Sequence, residues 1–503
     1  MKLPTLLCAL APALASLPLA QERAQGSVQV AFDALAFGDA PYSGPVFLAF
    51  SPGTEPVADM HRWFGAPPVL RWDVADVAPG STLELAFQEA DGQHPAHWGA
   101  YDWSATDRWR LQLVARTSPT GRQAGLSEGD ITSQVHHVHY AAAPVRFGMR
   151  LDQTVREEAF EESERLRLFE HRSALLSDFH GFDYVLRAGV LLPVDHDPER
   201  RYPVLWSVTG FGGTHRSIAG WERRATGTFL DQCIVVVPDA SNRYGHSVFC
   251  NSPSIGPWGD ALVHELAPAL EAEYGGAGAE QRHVTGGSSG GWSSLWLQVA
   301  YPEHFAACWS HVPDPIDFHD FQQINLYEPL EDGSARNMYV DEAGEPRPLA
   351  RRNGEVMLTY EDFVRREHVL NPGGQIRSFE ATFSPLDDSG EPQRVFDVET
   401  GAVDHEAAQA WRAFDISHQL LTRWDELEPA LDGKIHVWAG EVDTFYLEGA
   451  VERFLEHAEP AGLLEHMTVE VVPGLAHSRH EPGYEQMLSE IQQRWESANV
   501  DAP

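Results

Sequence analysis

At 503 residues, with 43% hydrophobic and 10% aromatic content, the chain can build two domains around a substantial core, which excludes a disordered protein. A formal charge of −38 and a pI near 4.9 argue against nucleic acid or an anionic membrane surface as partner. Lysine occurs only at Lys2 and Lys434, which a saline habitat and genomic codon bias explain equally well.

The first twenty residues, MKLPTLLCALAPALASLPLA, carry one lysine, a short apolar run and small residues near Ala15 and Ala20. That is the outline of a signal peptide over 1–20 rather than a transmembrane helix. Cys8 follows Thr-Leu-Leu rather than a small residue, which speaks against lipid attachment. No later stretch is long and apolar enough to span a bilayer, so the mature protein is expected to be secreted or periplasmic, with no membrane partner. From 21 to 150, VQVAFDAL, GPVFLAF, STLELAF, RWRLQLVAR and SQVHHVHY are short strand-like runs between Gly, Pro, Asp and Ser clusters. They predict a small antiparallel β-sandwich. The charged stretch TVREEAFEESERLRLFEHRSALLSD predicts a helical linker over 151–176.

From 177 to 498 strands and helices alternate: FDYVLRAGVLLP, YPVLWSVTG, CIVVVPD, a helix from about Gly259 to Tyr274, RHVTG and the helix after it, ACWSHVP and KIHVWAG. This α/β pattern predicts a mostly parallel sheet with helices on both faces. A polar insertion rich in Pro, Gly and Asp, at about 316–430, is expected to act as a lid or pocket wall. Beyond the signal peptide three cysteines remain. Cys233 and Cys250 sit at opposite ends of a strand roughly 17 Å long, too far to bridge. A Cys250–Cys308 disulfide stays open, with buried free thiols the expectation.

The chemistry centres on RHVTGGSSGGWSSLW, where Ser288 and Ser289 both fit G-x-S-x-G. The motif follows a strand and opens a helix, the context of a nucleophile elbow, and the lysine of a phosphate-binding loop is missing. Ser288 is the expected nucleophile, because in the shifted frame bulky Trp292 would occupy a position that the tight turn wants small. Ser289 then contributes its backbone N–H to an oxyanion hole, and the Gly-rich turn Thr209-Gly210-Phe211-Gly212-Gly213 offers the Phe211 N–H as second donor. KIHVWAGEVDTFY ends a strand with Glu441 and Asp443, and MTVEVVPGLAHSRH ends another with His477 and His480. Asp443 and His477 are preferred, in the order Ser…acid…His. His137 and His139 share a strand face at metal-ligand spacing, but no third ligand is visible nearby and a solvated face is expected. His246 is a possible pocket residue.

TGFGG, TGGSSGG, AGEVDTFY and GLAHS, over about 175–495, resemble the α/β-hydrolase esterase family that includes esterase D, enterochelin-esterase-like proteins, feruloyl esterases and mycolyltransferases. VFCNSPSIGPWGDALVHELAPALE and WSHVPDPIDFHDF resemble blocks of its exported bacterial members. The resemblance implies an α/β-hydrolase fold, Ser288 as nucleophile and Phe211 as an oxyanion donor. Gly287 departs from it, since His is common before the nucleophile, and the β-domain lies outside it. The expectation is an exported serine esterase acting through Ser288, His477 and Asp443 on a small-molecule or glycan-linked ester, with no cofactor and no metal. An acyltransferase or peptidase with the same triad, or a non-catalytic polysaccharide-binding protein, are the alternatives.

Overall fold

The computed structural model describes residues 26–90, 108–139 and 145–499; the expected signal peptide lies outside them. In the N-terminal domain, Gly26–Phe32 lies between Thr82–Ala86, antiparallel, and Val145–Leu151, parallel. The domain is therefore not purely antiparallel, because its first and last long strands run side by side in the same direction. A second sheet is built on Tyr42–Ser51, flanked by Val69–Val77 and Arg108–Ala115. Alternate residues of the two sheets, among them Val28, Val30 and Phe32 against Val46, Leu48 and Leu113, form one buried core.

Tyr42–Ser51 reads as a continuous apolar run because its second face is covered too. Phe47 and Ala49 pack with Val57, Met60, Val369 and Leu370, the last two from the C-terminal domain.

The C-terminal domain is an eight-stranded sheet whose strands we number β1 (Leu166–Ser173), β2 (Tyr184–Leu191), β3 (Val204–Val208), β4 (Ile234–Pro238), β5 (Arg282–Ser288), β6 (Ala307–Pro313), β7 (Ile435–Gly440) and β8 (Thr468–Val472). Their order is β1-β2-β4-β3-β5-β6-β7-β8, antiparallel from β1 to β4 across β2 and parallel thereafter. Val204, Trp206, Val236 and Val284 face a core that includes Trp292 and Leu295 of helix α1 (Ser289–Ala300). Leu205, Val235, Val237 and Trp309 face the other way, onto Met487 and Ile491 of the C-terminal helix Glu481–Asn499. The parallel strands are thus apolar on both sides, as a sheet clothed by helices on both faces requires.

The expected helical linker at 151–176 does not form. Gln153–Thr154 pairs as a short strand, 155–165 is irregular, and Leu166–Ser173 is edge strand β1; only Ala174–His180 is helical. The helix-favouring Glu and Arg residues carry a weak local preference, which pairing with β2 and burial of Leu166 and Phe169 override. Their charges suit an edge strand, where Glu170 meets Arg187 across the ladder and Arg172 meets Asp183.

The insertion is packed rather than loose. It holds a hairpin (Pro348–Arg352 with Glu355–Thr359) and helices α2 (Tyr360–Leu370), α3 (Gln375–Phe383) and α4 (Ile416–Leu431) around Phe318, Phe379, Phe383 and Trp411. Cys233, Cys250 and Cys308 are free and buried. Among the described residues, no helix is long and apolar enough to cross a membrane.

Candidate active site

The turn from β5 into α1 gives the two serines different surroundings. Ser288 takes φ 59° and ψ −129°, a conformation that costs a non-glycine residue about 1–3 kcal/mol and is stored where a side chain must be presented sharply. Ser289 is fully buried at the head of α1.

The glycines separate the two possible frames. A Cβ on Gly286 would come within 2.1 Å of the Gly290 carbonyl oxygen, and one on Gly290 within 2.1 Å of the Val208 carbonyl oxygen. Both positions flanking Ser288 in G-x-S-x-G therefore admit only glycine. A Cβ on Gly287 would meet nothing nearer than the His311 carbonyl oxygen at 3.7 Å, an ordinary contact. Gly291 is closed as well, 2.6 Å from the His311 carbonyl oxygen, so the shifted frame has one required glycine and the frame centred on Ser288 has two.

Asp443 lies in the turn after β7, fully buried, and its Oδ2 is 2.8 Å from Nδ1 of His477 in the turn after β8. Its Oδ1 accepts the Phe445 N–H at 2.8 Å, which fixes the carboxylate plane. Glu441 instead caps the neighbouring turn by accepting the Gly474 N–H at 2.8 Å. His480 packs against Trp438, with ring centroids 5.8 Å apart. Phe445 stands edge-on to His477, centroids 4.9 Å apart, and lines the same cleft as Ser288. The fold thus pairs Asp443 with His477, at the C-terminal ends of adjacent strands, and leaves Glu441 and His480 out.

The Gly-rich turn after β3 runs against the elbow. A Cβ on Gly210 would lie 3.2 Å from both Ser288 Cβ and the Gly287 carbonyl oxygen, a contact tight enough that any side chain there would push on the elbow. The Gly213 N–H closes back on the Gly210 carbonyl at 3.0 Å, while the Phe211 amide makes no backbone hydrogen bond among the described residues. Ser289 heads a helix, whose first amides have no intrahelical acceptor. His246, open in the sequence reading, is buried behind this turn. Its Nδ1 accepts the Val248 N–H at 3.0 Å, so Nε2 carries the proton that it donates to the Thr209 carbonyl, also at 3.0 Å. Burial pushes its pKa down to about 4, which keeps the imidazole neutral. It braces the turn.

Two further groups were invisible to sequence reasoning. Asp314, just past β6, lies with Oδ1 3.3 Å from Ser288 Oγ and Oδ2 2.5 Å from Ser289 Oγ. Gln375, the first residue of α3, donates from Nε2 to the same Oδ2 at 3.2 Å. Burial pushes the Asp314 carboxyl up to about 6, against the opposing pull of these hydrogen bonds and of His477. Asp314 lies in WSHVPDPIDFHDF, but only the folded chain brings it to the serines, 26 residues upstream.

Among the described residues, Asp317, His319 and Asp415 could group around a cation, with ligand atoms within 4.8 Å of one another. Each is already engaged: His319 Nδ1 lies 2.8 Å from Asp317 Oδ1, Ser417 donates to Asp317 Oδ2, and Tyr327 and the Phe318 N–H donate to Asp415 Oδ2. On the outer strand, His137 lies opposite Arg110, a cationic neighbour that disfavours a metal there.

A family model described as "Putative esterase" matches residues 182–485. No curated protein matches the chain in sequence. Among solved structures, a ferulic acid esterase is 14% identical at a TM-score of 0.40, covering 66% of this chain and 99% of its own. An S-formylglutathione hydrolase from Agrobacterium tumefaciens is 15% identical at a TM-score of 0.37, covering 66% and 94%. A ferulic acid esterase from Anaeromyces mucronatus, in complex with ferulic acid, is 12% identical at a TM-score of 0.32, covering 65% and 90%.

Proposed function

The chain belongs to that esterase family, and on this premise we propose that it is an exported serine esterase that hydrolyses carboxylic esters through an acyl-enzyme. The observation that carries the reading is the Asp443–His477 pair, whose neighbour Phe445 lines the same cleft as the strained Ser288. Asp443 accepts the Nδ1 proton of His477, which leaves Nε2 free as the base. As Ser288 Oγ attacks the ester carbonyl, Nε2 takes its proton; it then returns that proton to the departing alkoxide. The negative charge that develops on the carbonyl oxygen is met by the Phe211 and Ser289 amides, held in advance by the His246-braced turn and by the head of α1. Water, deprotonated by the same imidazole, releases the acid. Export rests on the first twenty residues alone, and neither a metal nor a cofactor has a role in this scheme.

Stopped-flow hydrolysis of p-nitrophenyl acetate tests the reading. It predicts a burst approaching one p-nitrophenolate per protein followed by slower turnover, since p-nitrophenolate is a good leaving group, which makes acylation faster than deacylation and lets the acyl-enzyme accumulate. Absence of hydrolysis across p-nitrophenyl esters would overturn it.

A further inference from the structure

The N-terminal β-domain lies outside the matched family region, yet it reaches the candidate active site. Trp63, in the segment between Pro56–Met60 and Val69–Val77, packs against the core of the C-terminal domain. Its ring centroid is 5.8 Å from Phe211, 4.9 Å from Phe363 of α2 and 5.7 Å from Phe445. Phe211 is the oxyanion-turn residue, and Phe445 is the ring set edge-on to His477. Trp63 also lines the cleft that holds Ser288 and Asp314.

The approach is held by polar bonds between the domains. Arg122 Nη2 donates to the Gly212 carbonyl at 2.9 Å, and its guanidinium lies 5.5 Å from the Phe211 ring. Arg366 of α2 donates to the Met60 carbonyl at 2.6 Å, three residues before Trp63. Arg71 donates to the carbonyls of Val369 and Asn371 at 3.1 and 3.2 Å. With the apolar contact of Phe47 and Ala49 on Val369 and Leu370, these hold the two domains together on either side of Trp63.

We propose that the β-domain completes the ester site, with Trp63 forming the wall of the pocket that receives the acyl group. The inference rests on the serine-esterase reading. Once Ser288 is acylated, the acyl chain is tethered to Oγ and must occupy the cleft that this serine lines. There it meets Phe363, Ile376 and Phe379, and Trp63 closes the space. A rigid indole at that position limits acyl length, so a compact acyl group is the substrate class that fits.

The test compares kcat/KM of the full-length protein and of Trp63→Ala and Trp63→Phe on p-nitrophenyl acetate, butyrate and octanoate. Each methylene accommodated in an apolar pocket changes selectivity by about tenfold or more. Trp63→Ala is therefore expected to raise the octanoate-to-acetate ratio at least about tenfold over wild type, with Trp63→Phe intermediate. Should the alanine variant fail to fold, the phenylalanine variant is still expected to move the ratio in the same direction. An unchanged ratio in the folded variants, with wild type active, would overturn the wall while leaving the esterase reading intact. A wild type that hydrolyses none of the three esters would overturn the esterase reading itself.

Discussion

Asp314 offers a quantitative check on the site's electrostatics. Its carboxyl is buried beneath Ser288 and Ser289, and burial lifts its pKa from 3.8 to about 6. At 1.36 kcal/mol per pKa unit the difference of about 2.2 units corresponds to about 3 kcal/mol. The sign follows from linkage: a carboxyl whose folded pKa is raised contributes fully to stability below pH 3.8 and loses that contribution as pH rises through 6. Asp314→Asn keeps the shape and one acceptor for the Ser289 hydroxyl but cannot ionise. Urea unfolding of wild type and variant, at pH 4 and at pH 8, measures the difference with other titrating groups cancelled. The variant should gain about 2–3 kcal/mol relative to wild type between the two pH values. A stability difference that stays constant within about 0.5 kcal/mol would refute the reasoning, because Asp314 would then titrate alike in the folded and unfolded chain.

The remaining predictions concern the dyad, the elbow and its brace. Asp443→Asn should lower kcat on p-nitrophenyl acetate by about 10⁴-fold through loss of the correct His477 tautomer, whereas Glu441→Gln, which alters only the Gly474 turn, should stay within about threefold. Gly290→Ala drives a Cβ into the Val208 carbonyl and should cost more than about 4 kcal/mol in urea unfolding, while Gly287→Ala should cost less than about 1 kcal/mol. Equal costs would contradict the frame centred on Ser288. His246→Ala frees the Thr209 carbonyl and should lower kcat by about tenfold with KM little changed, as expected for a positioning residue behind an oxyanion donor; a rise confined to KM would count against that role.

Much of the catalytic domain is legible in the sequence, for an identifiable reason. Parallel strands buried on both faces must be written as predominantly apolar runs, and VLWSV, IVVVP and IHVWAG are; an elbow must be glycine-rich after such a strand, and RHVTGGSSGG is. His477 is preferable to His480 because it follows its strand more closely, the preference for Asp443 over Glu441 has no such local signal, and the fold pairs Asp443 with His477. Strand β1 carries a helix-like sequence because its stability comes from β2 and the core rather than from its own residues. Asp314, Gln375 and Trp63 escaped for a different reason: each reaches the cleft from a segment 26, 87 and 225 residues from Ser288, and no local period records such a meeting. His246 was half visible, since a histidine in a Gly-rich loop signals neither a brace nor a ligand until its two ring nitrogens find partners.

Mass-spectrometric mapping of a fluorophosphonate adduct on the wild-type protein, with Ser288→Ala and Ser289→Ala labelled in parallel, tests the central claim most directly. The account predicts one adduct, on Ser288, lost in Ser288→Ala and retained in Ser289→Ala. An adduct on Ser289, or labelling that survives Ser288→Ala, would contradict it.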